Sequence, residues 1–178
     1  MATKKYRVVV IDPPWELKKL THKARPKQVG FDYSTMSVEQ IKSLPIGNLV
    51  RPDGWVFLWS IQKYLYEAKG IVESWGLNLL LTGVWEKTYG RSAGMPLYGF
   101  RWNAEFILVA YKNKPPLWPK RPLIPAVFQA ENIRHSVKPD HFYELVEPLG
   151  IPRLDMFARR EREGWDVYGN EVENSISI

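Results

Sequence analysis

Residues 8–19 read VVVIDPPWELKK. The apolar run from Val8 to Ile11 stops on a carboxylate, two prolines and an indole, and the chain then turns basic. With Tyr6 and Arg7 ahead of it, the run has the length and valine content of a strand buried on both faces, as in the middle of a parallel sheet. In such a fold a ligand pocket opens just past the carboxyl end of a buried strand, which puts Asp12 at the lip of the sheet in partly desolvated surroundings. Two successive prolines carry no backbone N–H and fix φ, so they present carbonyl oxygens in a rigid arc beside the carboxylate. Trp15 adds a flat apolar surface with one donor. Acceptors beside a stacking plate suit a planar group bearing an amino function, such as the exocyclic amine of a nucleobase. Acceptors on both of its hydrogens help that nitrogen become tetrahedral and nucleophilic. The same four residues also suit a turn whose aspartate caps a backbone amide and whose indole packs in the core. Taken alone, they leave both readings open.

Outward from this point, strand patterns alternate with helix patterns. Residues 16–34 have no hydrophobic period and many charges, which predicts a long loop, disordered or functional. Ser37 and Gln40 make a capping-box pattern, so a short helix is expected over 38–44, ending before Pro45. A strand follows over 55–60. Helical spacing of Leu65, Ala68, Ile71, Val72 and Trp75 predicts a helix over 62–75, with Gly76 placed to end it. Strands over 79–85 and 105–111 flank a glycine-containing loop, and the stretch KNKPPLWPKRPLIP has too many prolines for regular structure. A short strand over 126–130 comes next. Pro139 then opens the first turn of a helix whose Phe142, Leu145 and Val146 share a face, and strands over 153–158 and 166–168 complete the chain. The alternation predicts a single α/β domain over 1–178, with a mostly parallel central sheet and helices on both faces.

A 178-residue chain that is 45% hydrophobic can bury one substantial core. It has no cysteine, which excludes disulfides and cysteine-bearing zinc or iron–sulfur sites. The three histidines lack metal-ligand spacing, so no metal is expected. MATKKYR carries no apolar signal core, and no stretch has the roughly 18 apolar residues of a spanning helix. A cytoplasmic protein with no membrane association is the expectation. A net charge of +6 and a pI near 9.4 point to a polyanionic partner. The basic residues crowd into Lys18, Lys19, His22, Lys23, Arg25 and Lys27; into Lys112, Lys114, Lys120 and Arg121; and into Arg153, Arg159, Arg160 and Arg162. Any one of these clusters alone also suits a solvated loop. There is no nucleophile elbow and no glycine-rich dinucleotide fingerprint, so a hydrolase or oxidoreductase has nothing to rest on.

The tetrapeptide Asp12-Pro13-Pro14-Trp15 resembles the motif IV signature, Asp-Pro-Pro-aromatic, of amino-group methyltransferases that use S-adenosylmethionine. Through nearly its whole length the chain resembles the MT-A-seventy family of N6-adenine methyltransferases. The matching motifs are IDPPW, YSTMSVEQIKSLPI, GWVFLWS, ESWG, VWEKT, NAEFILVAYK, HSVKPDHFYELVE, LDMFARR and GWDVYGNEV, in the family's order.

The resemblance implies a permuted Rossmann-like methyltransferase fold, in which the catalytic strand precedes the cofactor strand RLDMFARR. It implies that Asp12 and the Pro13 carbonyl accept the hydrogens of the adenine amino group, while Pro14 and Trp15 shape the pocket. It implies S-adenosyl-L-methionine as cofactor, held by Ile11, Asp12, Lys138, Asp155, Phe157, Arg159, Asn170 and Glu171. Lys138 matches the lysine near the cofactor's carboxylate, and Glu171 stands where the eukaryotic enzyme has glutamine. Tyr33, Trp85, Phe100 and Glu105 match positions around the acceptor adenine. Residues 16–34 and 88–102 become mobile active-site loops, and Lys23, Arg25, Lys27 and Arg91, with the adjoining Lys87, become contacts to a nucleic-acid backbone. The compact chain is similar to bacterial or phage members, which favours DNA over RNA and leaves room for a homodimer or a partner subunit. The family also contains non-catalytic nucleic-acid-binding partners of the same fold; the intact Asp12, Lys138 and Arg159 argue for the enzyme. A cytosine-N4 enzyme would carry serine at the head of its motif, and here that position is Asp12.

Overall fold

The structure, a computed structural model, describes residues 4–16, 35–88, 96–97, 100–101, 103–114, 123–131 and 137–178. The chain runs β1 (Tyr6–Ile11), α1 (Val38–Lys42), α2 (Ile46–Leu49), β2 (Val50–Ser60), α3 (Leu65–Ser74) and β3 (Asn78–Thr88). It continues through the short pair β4 (Pro96–Leu97) and β5 (Phe100–Arg101), then β6 (Ala104–Tyr111), β7 (Val127–Glu131), α4 (Asp140–Val146), β8 (Arg153–Met156) and β9 (Asp166–Tyr168). Among the described residues, no helix is long and apolar enough to cross a membrane.

Seven strands form one mixed sheet in the order β7-β3-β6-β2-β1-β8-β9. Every neighbouring pair is parallel except the two that β6 makes with β2 and β3. The expected mostly parallel sheet with helices on both faces is what the chain adopts. Val8, Val9, Val10 and Ile11 are fully buried because β1 lies inside the sheet with a layer on each side. Val9 and Ile11 join the core under α1, α2 and α3, while Val8 and Val10 join the core under α4.

Local chemistry explains the element ends. Ser37 and Gln40 form the complete capping box of α1, in which the Gln40 N–H donates to the Ser37 hydroxyl and the Ser37 N–H to the Gln40 side chain. Gly76 has φ +68 just after α3, the left-handed geometry that closes a helix. The helix expected over 38–44 ends at Lys42 and is followed by α2, the strand expected over 79–85 lengthens to Asn78–Thr88, and β4 and β5 occupy part of the expected loop. Three further changes have a local cause. β2 begins at Val50, because the Pro52 and Gly54 carbonyls of its proline–glycine stretch accept N–H groups from Asn113 and Lys112 past β6. Pro139 is the extended N-cap of α4 and not a residue of its first turn. The penultimate strand ends at Met156, because Phe157 takes φ +63.

The topology fixes where a ligand can enter. From β1 the chain passes to β2 on one side, while β8 lies on the other. The carboxyl ends of β1 and β8 therefore flank a topological switch point, the crevice where open α/β sheets bind ligands. The Asp12 N–H donates to the Met156 carbonyl at 3.2 Å and ties the two ends together.

Candidate active site

The tetrapeptide after β1 divides into two pairs by what each residue touches. Trp15 is 7% exposed; its indole N–H donates to the Trp59 carbonyl at 3.2 Å, and its ring stacks on Tyr64 with centroids 4.9 Å apart. Its main chain bridges to Met36, whose N–H donates to the Pro14 carbonyl at 2.8 Å. Pro14 and Trp15 therefore anchor the turn to the body of the fold. The Pro13 carbonyl accepts the Trp15 N–H at 2.8 Å and keeps a second lone pair. The Asp12 carboxylate reaches past the sheet edge.

There Asp12 begins a line of alternating charges. Its Oδ2 lies 3.0 Å from Lys138 Nζ; the same ammonium donates to Glu105 Oε2 at 2.9 Å, and Lys87 donates to Glu105 Oε1. The four side chains are only 10–23% exposed. Lys138 sits over the Trp59 ring and Lys87 over the Trp85 ring, each 4.9 Å from the centroid, and the two indoles meet edge to face. Burial pushes the Asp12 carboxyl up, and the nearby Lys138 offsets only part of that. Burial acts on Glu105 in the same direction, but Lys138 and Lys87 outweigh it and hold Glu105 below its ordinary value. Burial alone would lower Lys138; its two carboxylate partners raise it instead.

On the other flank of the switch point, Asp155 of β8 is 6% exposed and accepts the Tyr143 hydroxyl of α4 at 2.9 Å. Burial pushes its carboxyl up to about 7. A cavity lined by Asp12, Lys138, Tyr143, Asp155, Phe157 and Arg159 connects the two flanks. Phe157 holds a left-handed φ of +63, a strain that bulky residues rarely carry and that clusters at functional sites. Arg159 pairs with Glu171 at 3.0 Å, which joins the loop after β8 to the turn after β9.

With this geometry in view, comparison with known families is decisive: the MT-A70 family profile matches residues 6–171. The chain belongs to the MT-A70 family. Among its relatives is the "Type II methyltransferase M.MunI" of a Mycoplasma species, 25% identical over 98% of this chain and 82% of that protein. The "N(6)-adenine-specific methyltransferase METTL4" of Mus musculus is 31% identical over 95% of this chain and 38% of its own length. The human "N(6)-adenosine-methyltransferase catalytic subunit METTL3" is 26% identical over 95% and 28%. The chain thus spans most of the Mycoplasma relative and well under half of the two mammalian ones.

The structure brings some of the expected site residues together and leaves others apart. Asp12, Lys138 and Glu105 come together in one ion-paired group, and Asp155, Phe157 and Arg159 line the adjoining cavity. Ile11 is fully buried, so its side chain belongs to the core. Asn170 and Glu171 lie exposed in the turn after β9. Trp85 is 1% exposed, with its N–H on the Ala130 carbonyl, and forms the floor beneath Lys87. Phe100 is described by its β5 backbone. Tyr33, Lys23, Arg25, Lys27 and Arg91 lie outside the described residues, as do most of 16–34 and 88–102.

Sequence reasoning missed the pairing of Lys87 and the role of Tyr143. A signal for the first exists: Lys87 follows Trp85 at strand period, and Trp85 is the register partner of Glu105, so a cation and a carboxylate sit diagonally across two strands. Tyr143 gave no signal, because its polar tip on a core helix becomes informative only when its partner strand is known.

Proposed function

We propose that this MT-A70 chain is an S-adenosylmethionine-dependent methyltransferase acting on the N6 amino group of adenine in nucleic acid, with DNA favoured over RNA. The observation that carries the reading is the Asp12 carboxylate beside the Pro13 carbonyl at the switch point, next to a cavity of mixed charge. The cavity sets the buried carboxyls of Asp12 and Asp155 among Lys138, Arg159, Arg160 and Arg162, so it offers partners to both charges of a zwitterionic ligand. S-adenosylmethionine brings a sulfonium and an ammonium. Its carboxylate finds cations in Lys138 and Arg159, and its nucleoside hydroxyls find partners in Asn170 and Glu171. The donor set therefore fits the cofactor, which when bound supplies an electrophilic methyl group.

The chain's own residues do the rest. Asp12 and the Pro13 carbonyl accept the two amino hydrogens, orient the nitrogen lone pair and draw it out of conjugation with the ring. No general base is required, since the methylated nitrogen loses its proton after transfer. A base at the lip of a sheet has to be out of its stack, so the substrate is single-stranded or its target base is flipped. DNA is favoured on the likeness to the Mycoplasma Type II methyltransferase, which runs through 98% of this chain. A compact domain offers little surface for sequence readout, which a second copy or a partner subunit would extend.

The test is transfer of labelled methyl from S-adenosylmethionine to matched single-stranded DNA, duplex DNA and RNA, read by nucleoside mass spectrometry. N6-methyladenine is expected in a DNA pool. Its appearance in RNA alone would reassign the substrate. No transfer to any pool, despite cofactor binding, would favour a non-catalytic module.

A further inference from the structure

We infer that Lys87 is a positioning residue for Asp12: by occupying one oxygen of Glu105, it leaves the shared Lys138 ammonium free to hold Asp12 ionised. The consequence for transfer rests on the function proposed above; the electrostatic coupling does not.

The inference comes from counting charges along a buried line. Asp12, Lys138, Glu105 and Lys87 form an alternating chain of two acids and two ammonium groups, so the group is neutral as a whole. Lys138 serves both acids, at 3.0 and 2.9 Å, so Asp12 and Glu105 compete for one cation. Lys87 ends that competition. It donates to the far oxygen of Glu105 and is held there by the Trp85 ring beneath it and by its backbone N–H on the Asn103 carbonyl at 2.7 Å.

Without Lys87 the buried group would carry one uncompensated negative charge, and two carboxylates sharing one ammonium take up a proton. Both carboxyls feel that proton. Glu105 loses one of the two cations that hold it down, and Asp12, already pushed up by burial, must then share Lys138 with a Glu105 that has no other ammonium, so the Asp12 midpoint rises with that of the coupled pair. Other groups also face Asp12: Asp155 from β8, Arg159 beyond it and Tyr143 from α4. Asp155 and Tyr143 bond each other and Arg159 pairs with Glu171, and those bonds do not involve Lys87. A protonated Asp12 offers a donor where the substrate amine needs an acceptor.

The experiment is a carboxyl-carbon NMR titration of protein labelled at aspartate Cγ, with Asp12 assigned through Asp12→Asn. Lys87→Met keeps the stem over Trp85 and removes the charge. It is expected to raise the Asp12 midpoint by about one pH unit, and Lys87→Arg is expected to leave it in place. In a Glu105→Gln background the same Lys87→Met change is expected to move the midpoint by less than half as much, because the coupling runs through Glu105. The acid limb of kcat/KM should shift with the midpoint in each variant. An unmoved midpoint in folded Lys87→Met, or an equal shift with and without Glu105, overturns the inference. So does a loss of activity that is uniform across pH. Because the titration needs no turnover, an inactive wild type would sink the proposed function and leave this result standing.

Discussion

Asp12 and Lys138 share an ion pair, yet replacing them should have opposite signatures. Asp12→Ala leaves Lys138 still paired with Glu105, with one excess positive charge in the group. Methyl transfer should fall by at least about 10²-fold while cofactor affinity by calorimetry stays within about tenfold; retained turnover would move the chemistry elsewhere. Lys138→Ala instead removes the ammonium that Asp12 and Glu105 share and leaves Asp12 without its ion-pair partner, while Lys87 stays on Glu105. It should weaken cofactor binding by more than about tenfold and cost about 3–5 kcal/mol of stability near pH 8, measured by urea unfolding. Asp155 supplies a pH signature of its own. Its folded carboxyl titrates near 7, against about 3.9 in the unfolded chain, so between these values the folded state keeps a proton that the unfolded state has released. Its contribution to stability is therefore lost as pH rises through that window. Asp155→Asn, which can still accept from Tyr143, should match wild type near pH 4 and exceed it by on the order of 2–4 kcal/mol at pH 8. At this scale the sequence was legible where chemistry is local: acid, prolines and indole in four consecutive positions. It was opaque where function depends on which way an aromatic ring faces, as with Trp15 and Trp85, both spent on packing.

The loops after β8 and β9 are zipped together, and one glycine permits it. A Cβ on Gly169 would lie 2.3 Å from the Ala158 carbonyl oxygen and 2.9 Å from the Ala158 nitrogen, both backbone atoms that cannot swing aside. The Ala158 N–H donates across this contact to the Tyr168 carbonyl at 3.0 Å. Gly169→Ala must therefore part the segment bearing Phe157 and Arg159 from the turn bearing Asn170 and Glu171. The expected result is a loss of about 2–3 kcal/mol in stability and a more than tenfold loss of cofactor affinity; unchanged calorimetry would mean that the nucleoside is held elsewhere. Elements in this fold were readable where period and punctuation agreed, as for β1, β9, the capped start of α1 and the glycine stop of α3. β2 outran its reading because proline and glycine in residues 51–54 mimic a turn, while the partners that make them strand lie some 60 residues away. The reversed direction of β6 is a pairing property, invisible to local pattern.

Charge is distributed unevenly over the whole molecule. Nine of its basic residues, Lys18, Lys19, Lys23, Arg25, Lys27, Arg91, Lys120, Arg121 and Arg134, fall in residues 17–34, 89–95, 115–122 and 132–136, where the one acid is Asp32. The remainder of the chain is therefore slightly acidic, and many of its cations are committed to local partners: Lys4 to Asp166, Arg51 to Asp53, and Arg162 to Asp140. Three of the four basic segments directly follow β1, β3 and β7 in the chain, and these parallel strands end on the same side of the sheet as Asp12. A positive field gathered at that edge would attract a polyanion without reading its sequence. Replacing Lys23, Arg25 and Lys27 together by alanine should then weaken nucleic-acid binding equally for unrelated sequences. The slope of log K against log salt should become shallower by about two to three, with kcat at saturating substrate unchanged. Fluorescence anisotropy titrations from low to moderate salt would measure it. If the affinity falls while the salt slope stays fixed, those side chains work by contacts other than phosphate neutralisation, and the excess charge of the molecule lies idle.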